Sequence, residues 1–519
     1  MTESVRDMVI LAPGRVEAEF MGPGVIVTGA GAKAVRVVID DVGGRFAPGT
    51  PVAVAGTAEP LRPDLDAGQL VVASEVWGVA RLGRGEERGE PGGPFGNRAL
   101  PFVRPVPSAA LVAAELRRCG HRVAVGPVAT VGDEDPALGA RAALAERGAL
   151  VLDADSAWAA ALAGEDGPLA IVRAVETTGG PGAMAALDTR RAAAALSSVR
   201  PPLERWASAC ARRHVVLAAP RAFCAGVERA IEIVERALER FGRPVYVRRQ
   251  IVHNTHVVDL LSKMGAVFVQ ELSEVPDGAT VVLAAHGVAP DVREQAAVRD
   301  GFTVIDATCP LVAKVHHEAR RYAARGYEIV LVGHEDHEEV VGTYGEAPEQ
   351  THVVASPGEV DRLDIKPGTP VAYLTQTTLA TDETAEVLGA LRRRFPDLVG
   401  PNAADICYAT QNRQDALRAI ARECELVIVV GSPNSSNTAR LVEVARREGS
   451  RAELVEDAGQ LRLSWLDGAR TVGVTAGASA PESIVAEVVQ ALSGLGPIDV
   501  DEHRTTTETV HFSLPIQVR

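Results

Sequence analysis

From His214 to about Leu495 the chain repeats one pattern: a short apolar run, a small polar loop, then a segment of helical periodicity. Val215–Ala219 is a continuous apolar run closed by Pro220, and it suits a strand buried on both faces. Gly226–Phe241 has helical periodicity, with Glu228, Glu232, Glu235 and Arg236 between its apolar positions. Further strands are expected at Val245–Arg248, Thr280–Ala284, Thr303–Ile305, Ile329–Val332, Val371–Leu374, Leu426–Val430 and Thr471–Val474. Strand–helix–strand repetition implies crossover connections and parallel sheets. Ligands of such sheets gather in the loops past the carboxyl ends of the strands.

Those loops have a common character. They read Arg221-Ala-Phe-Cys224, Ala285-His286-Gly287, Asp306-Ala-Thr308-Cys309, and Gly333-His334-Glu335-Asp336-His337-Glu338-Glu339. Then come Thr375-Gln376-Thr377-Thr378, Asp405-Ile-Cys407, Gly431-Ser432-Pro-Asn434-Ser435-Ser436-Asn437 and Thr475-Ala-Gly477-Ala-Ser479. Almost all are small, polar or able to bind metal, so they read as parts of one shared site. Cys224, Cys309 and Cys407 come from three different loops, and no Cys-x-x-Cys pair occurs. Three thiolates from three strand ends suit a cubane iron–sulfur cluster with one iron left open; three small buried hydrophobes are the other reading. Cys119, Cys210 and Cys424 fall in or at the ends of expected helices and read as structural. His253, His286 and His337 lie in or near strand-end loops, where imidazole can donate to a phosphate or serve structure. His334 and His337 are three apart, one short of the zinc-protease spacing. Ser435, Ser436, Asn437 and Ser479 precede expected helices and form either an anion cradle or ordinary caps.

A formal net charge of -15 excludes a general nucleic-acid binder, which needs a basic face. A local pocket can still take a small anion. Aromatic residues are only 4% of the chain, so the core must rest on Ala, Val, Leu and Ile. No stretch is long and apolar enough for a membrane span, and Met1–Asp7 lacks the basic, then apolar, form of a secretory signal. The expectation is a cytoplasmic protein without membrane or nucleic-acid partners.

The segments APRAFCAGVERAI, IVHN, AAHGV, DATCPLV, YLTQTTL, DICYATQNRQ, NSSN and GVTAGASAP occur in that order from His214 onward. In them this part of the chain resembles the LytB family of 4-hydroxy-3-methylbut-2-enyl diphosphate reductases, and ETVHFSLPIQVR resembles that family's C-terminal tail. The resemblance implies three α/β subdomains in a pseudo-threefold arrangement around a central 4Fe-4S cluster bound by Cys224, Cys309 and Cys407. It implies a diphosphate pocket lined by His253, His286 and His337, with Ser435, Ser436, Asn437 and Ser479 gripping the diphosphate. Thr377 would sit near the substrate hydroxyl, Glu339 would be the proton source, and Thr410 would support the third cysteine. Ferredoxin or flavodoxin would bring electrons. Four positions depart from the family's usual pattern: Ala222 for Gly, Asp336 for Gly, Glu338 for Pro, and Pro433 for Lys or Arg.

The first half reads as a separate α/β domain. Strands are expected at Met8–Ala12, Gly24–Thr28, Ala34–Asp40, His121–Val125, Leu150–Leu152 and Leu169–Val175. Helices are expected at Ala109–Arg118, Pro136–Arg147, Ser156–Ala163 and Thr189–Arg213, with a loop at Gly83–Asn97. VIVTGAGAKAV, VVASEVWGVA, VGPVATVGD, VLDADSAWAAAL and AIVRAVETTG resemble, more weakly, the nucleoside phosphorylase and nucleosidase family. That family commonly has Met-Glu where Ala154-Asp155 stands, and Asp where Glu176 stands, so its ribose and base contacts are altered here. The resemblance leaves a second activity, nucleoside cleavage, as an alternative. Gly29-Ala-Gly31-Ala-Lys-Ala34 also fits a dinucleotide-binding turn, a weak signal on its own. The expected organisation is a domain over 1–205, a reductase module over 206–497 and a tail over 498–519.

Overall fold

A computed structural model describes residues 8–13, 15–21, 25–28, 34–35, 37–38, 47, 49–78, 102–131, 138–177, 182–401 and 405–519. The expected Gly83–Asn97 loop and, except for Ala34, the Gly29–Ala34 turn lie outside these residues. The chain forms two compact units. One comprises Met1–Val215, Asp457–Arg470 and Ala486–Val500; the other comprises Val216–Glu456, Thr471–Val485 and Asp501–Arg519.

The first unit holds a mixed eight-stranded sheet. Along its path lie Val25–Val27, Val9–Ala12, Val52–Pro60, Val151–Asp153, Val123–Thr130, Leu70–Gly78 and Phe102–Pro105. Leu169–Val175 pairs parallel with Val52–Pro60 and antiparallel with Leu70–Gly78. It is buried at every position, Arg173 included. Arg173 meets Asp153 and Asp155 at 2.8 Å each, so the buried guanidinium is matched by two carboxylates. Two expectations are corrected here. Ala34–Val35 and Val37–Val38 are helical, not extended. Thr189–Arg213 is not one helix: Gly182–Ser197 ends, Arg200–Ala209 begins, and Arg213 already starts a strand. Pro201 and Pro202 explain the break, since proline fits a first helical turn but not an interior.

Three sheets follow. The first runs in the order Ala266–Val269, Val245–Arg248, Thr280–Leu283, Thr303–Asp306, all parallel. The second is Thr351–Val354, Glu328–Val332, Val371–Thr375, also parallel. The third runs Arg451–Val455, Leu426–Val430, Thr471–Ala476, Arg213–Ala219, Ile498–Arg504. The central strands are continuous Val, Ile and Leu runs; Leu426–Val430 is buried throughout. The final segment is partly ordered secondary structure, with the strand Ile498–Arg504 and a short turn of helix at Ile516–Val518.

One buried ionic cluster braces the second unit. Glu346, 1% exposed at its side chain, takes His316 Nδ1 at 2.7 Å, Arg320 at 2.6 Å and Arg293 at 3.2 Å. The His316 and Arg320 hydrogen bonds outweigh burial and hold the Glu346 carboxyl down at about 2. A carboxylate below its usual value stabilises the fold above about pH 4.5, and the stabilisation is lost as pH falls towards 2. Its size at neutral pH is roughly 3 kcal/mol. The expected result is that Glu346→Ala lowers the unfolding midpoint at pH 7 but costs little at pH 2.5. An equal loss at both pH values would show that packing, not charge, is what matters there.

Candidate active site

Each of the three cysteines caps a helix. Cys224 precedes Ala225–Phe241, Cys309 precedes Pro310–Ala323, and Cys407 precedes Tyr408–Ala421. A helix start presents free N–H groups and the positive end of the peptide dipoles, which favour a thiolate over a thiol. The Cys407 sulfur already accepts from Thr410 N at 3.3 Å and lies 3.0 Å from Thr410 Oγ1. The three backbone amides are used alike. Cys224 N donates to Ala478 O, Cys309 N to Ala285 O and Cys407 N to Thr377 O, at 3.1, 2.9 and 3.0 Å. Each cysteine is thus tied to another strand-end loop.

The three sulfurs face one pocket. A Cβ placed on Gly226 would stand 2.8 Å from Cys309 Sγ and 3.8 Å from Cys224 Sγ, so these sulfurs are separated by no more than the sum of those distances. Burial, helped by the nearby thiols, pushes Cys309 up to about 12 and Cys407 up to about 11. Binding of metal at these sulfurs therefore has to displace a proton from each thiol. Among the described residues, no group of three or more His, Cys, Asp or Glu closes around a single metal ion. Cys119, Cys210 and Cys424 do not line the pocket.

His253, His286, His337, Glu339, Thr377, Thr410, Ser435, Ser436, Asn437 and Ser479 line the same cavity, whereas His334 does not. His253 stacks on His286 with centroids 3.9 Å apart, and His337 meets both edge-on at 5.7 and 6.2 Å. Burial lowers His253 to about 3 and His337 to about 4, so both rings are neutral at pH 7. His337 caps helix Glu338–Tyr344, and its Nδ1 accepts from Glu339 N at 3.2 Å. The ring proton is therefore on Nε2.

Glu339 is 2% exposed. Its two oxygens accept from Thr377 N at 2.7 Å and Thr377 Oγ1 at 2.9 Å. Burial dominates over those bonds and pushes the carboxyl up to about 7, which makes it a proton donor near neutrality. Opposite lie Ser435, Ser436, Asn437 and Ser479. Ser435 caps Ser436–Arg447, and Ser479 Oγ donates to His253 O at 3.0 Å. Asn437 links two walls, donating to Thr410 Oγ1 at 3.2 Å and accepting from Ala478 N at 3.0 Å.

Several contributors are not evident from sequence reasoning. Gln376, 1% exposed, donates to Thr378 Oγ1 and Ser436 Oγ and accepts from His334 N. Phe512 reaches the pocket from the final segment. Fully buried Arg413 donates to Ala222 O and Phe223 O, and so clamps the Cys224 loop. Ala222 has φ of 60°, in the left-handed region where a Cβ is strained. Ala222→Gly is expected to stabilise the fold by roughly 0.5–1 kcal/mol, seen as a higher unfolding midpoint. A lower midpoint would mean that lost methyl packing exceeds the relieved strain.

With this geometry, the comparisons become specific. A family profile described as LytB protein matches residues 215–493. The 4-hydroxy-3-methylbut-2-enyl diphosphate reductase 2 of Mycobacterium tuberculosis is 57% identical over 309 residues, covering 59% of this chain and 92% of that protein. The corresponding Leifsonia xyli reductase is 56% identical over 309 residues, covering 59% of this chain and 91% of that one. The solved Plasmodium falciparum E-1-hydroxy-2-methyl-but-2-enyl-4-diphosphate reductase covers 59% of this chain and 97% of its own, at 38% identity and a TM-score of 0.57. The chain belongs to the LytB family. Its enzymatic class is that of an oxidoreductase.

Proposed function

We propose that this chain removes the allylic hydroxyl of 4-hydroxy-3-methylbut-2-enyl diphosphate, giving isopentenyl and dimethylallyl diphosphate in the last step of the methylerythritol phosphate pathway. The observation that carries this reading is the convergence of three helix-capping thiols, a buried acid and a hydroxyl-rich cradle in one pocket. The proposed resident group is a 4Fe-4S cluster on Cys224, Cys309 and Cys407. The donor set fits it: three thiols face one pocket, with a side-chain-free Gly226 beside two of them. When bound, the cluster supplies single electrons and Lewis acidity at an iron that no protein sulfur occupies.

The chain's own residues do the rest. The overall change takes two electrons and two protons; one proton leaves with the hydroxyl as water and the other ends on carbon. Glu339 holds a proton at its carboxyl, and Thr377 fixes that carboxyl through two bonds. The neutral His337 ring offers Nε2–H to the substrate. Ser435, Ser436, Asn437 and Ser479 receive the diphosphate at the start of helix Ser436–Arg447, where hydroxyls, an amide and peptide N–H groups together favour anions. Val227, Val252, Leu311 and Phe512 present apolar surface in the pocket and limit water around the isoprenoid carbons.

The proposal extends to a ferredoxin or flavodoxin as donor and to a cytoplasmic setting; among the described residues no helix is long and apolar enough to cross a membrane. It assigns the reductase to 206–497, with Phe512 as evidence that 498–519 completes the pocket. Anaerobic turnover of the hydroxylated diphosphate with reduced methyl viologen is the deciding experiment. Formation of the two isomeric diphosphates is expected; an iron-loaded protein that leaves the substrate intact would refute the assignment.

A further inference from the structure

Each helix that a pocket cysteine caps carries a cation about a turn and a half further on. Arg229 is five residues past Cys224, Lys314 five past Cys309 and Arg413 six past Cys407. None of the three is among the residues that line the pocket. Each reaches instead to the loop that leads into a different cysteine. Arg229 Nη1 donates to Ala307 O and Thr308 O, both at 3.1 Å, on the two residues before Cys309. Lys314 Nζ donates to Asp405 Oδ1 at 3.0 Å, two residues before Cys407. Arg413 donates to Ala222 O at 2.7 and 3.0 Å and to Phe223 O at 3.0 Å, on the two residues before Cys224. The links run from Cys224 to Cys309, from Cys309 to Cys407 and from Cys407 back to Cys224, so they close a ring.

The links are held at other points too. The Asp405 side chain is fully buried, and its Oδ2 accepts from Thr375 N at 3.1 Å, at the end of strand Val371–Thr375. Arg413 gives its remaining donors to Ala409 O at 2.9 Å and Glu508 Oε1 at 3.0 Å, so all five N–H groups of the buried guanidinium are used. Arg229 Nε donates to Ser513 O at 2.9 Å, next to Phe512. Loops without a sheet or helix partner must find donors for their carbonyls elsewhere, and here the donors come from the neighbouring cysteine's helix.

We propose that Arg229, Lys314 and Arg413 are positioning residues that act as one closed clasp, each fixing the approach to the next cysteine, so that the three thiols are presented to the cluster as a unit. The proposal rests on the cluster reading above. A cubane held at three corners needs all three sulfurs in place at once. Three independent braces would each stiffen one loop, and the effects of removing them would multiply. In a ring, freeing one loop releases a corner on which the others depend, and a second break adds little.

The test follows the loss of absorption near about 400 nm from anaerobically purified, cluster-loaded full-length protein in excess chelator. Lys314→Met and Arg229→Met are the variants, because both side chains are part exposed, whereas loss of the fully buried Arg413 would be a folding defect. Each single variant is expected to bleach about tenfold faster than wild type, the usual worth of a hydrogen bond from a charged group. The double variant should stay within about threefold of the singles, far from the roughly hundredfold of independent braces. Lys314→Arg keeps a cation for Asp405 and should bleach within about threefold of wild type. Arg240→Met loses a bond to Arg519 O from the same helix as Arg229 but frees no cysteine loop, and should match wild type. Single variants that bleach at the wild-type rate, a double near a hundredfold, Lys314→Arg as fast as Lys314→Met, or Arg240→Met as fast as Arg229→Met would each overturn the proposal. A wild-type protein that never acquires the colour would overturn it together with the parent reading. Colour and turnover with unchanged bleaching in the variants remove this inference alone.

Discussion

Cys309→Ser is expected to abolish both the brown colour and turnover of anaerobically purified protein. Wild type should carry about four irons per chain with absorption near 400 nm. Serine keeps the helix cap and nearly the same volume, so the fold should survive. What it removes is one of three sulfurs that share the pocket. With two thiols left, iron content should drop by more than half and turnover by at least about a thousandfold. The same substitution at Cys119, which lies outside the pocket, should leave iron and activity at wild-type levels. A Cys309→Ser protein that retains four irons and full activity would remove the central element of the proposed site.

Glu339→Gln should have the next largest effect, and a different signature. An amide can accept from Thr377 N and donate to Thr377 Oγ1, so the two bonds that place Glu339 can be remade. It cannot release a proton. The expected loss in kcat is about 10²–10⁴-fold, the usual contribution of a positioned acid, with KM and iron content close to wild type. Thr377→Val tests the other half: the hydroxyl bond is lost while the backbone bond stays, so a smaller fall in kcat is expected. A Glu339→Gln enzyme within threefold of wild type would mean that the proton comes from elsewhere.

The strand-end loops were legible because buried parallel strands are written as uninterrupted Val, Ile and Leu. Leu426–Val430, Leu-Val-Ile-Val-Val, falls where the sequence places it. Once the strands are known, the position of the ligand-bearing residues follows from topology. The same signal fails in the first half. Val52–Pro60 mixes Val with Ala, Gly and Glu, Leu70–Gly78 interrupts its apolar run with Ala-Ser-Glu, and both pair with Leu169–Val175, a contact more than ninety residues away. Ala34–Val38 reads as β-branched and extended, yet its described residues are helical, a case of local propensity overruled. Residues that act through backbone contacts were hidden as well. Arg413 reaches the Cys224 loop across nearly two hundred positions, and Gln376 touches the acid-bearing and serine-bearing walls at once. No pattern of neighbours in the chain announces such a bridge.

The amide of each cysteine is bonded to a carbonyl at or beside a proposed substrate contact: Ala478 next to Ser479, Ala285 next to His286, and Thr377 itself. Filling one set of ligands therefore tightens the backbone that presents the other. Thermodynamic linkage makes this reciprocal. Diphosphate should tighten iron retention at equilibrium against a chelator, and iron-free protein should hold diphosphate more weakly, each by the same factor. On this reading, cofactor and substrate protect one another.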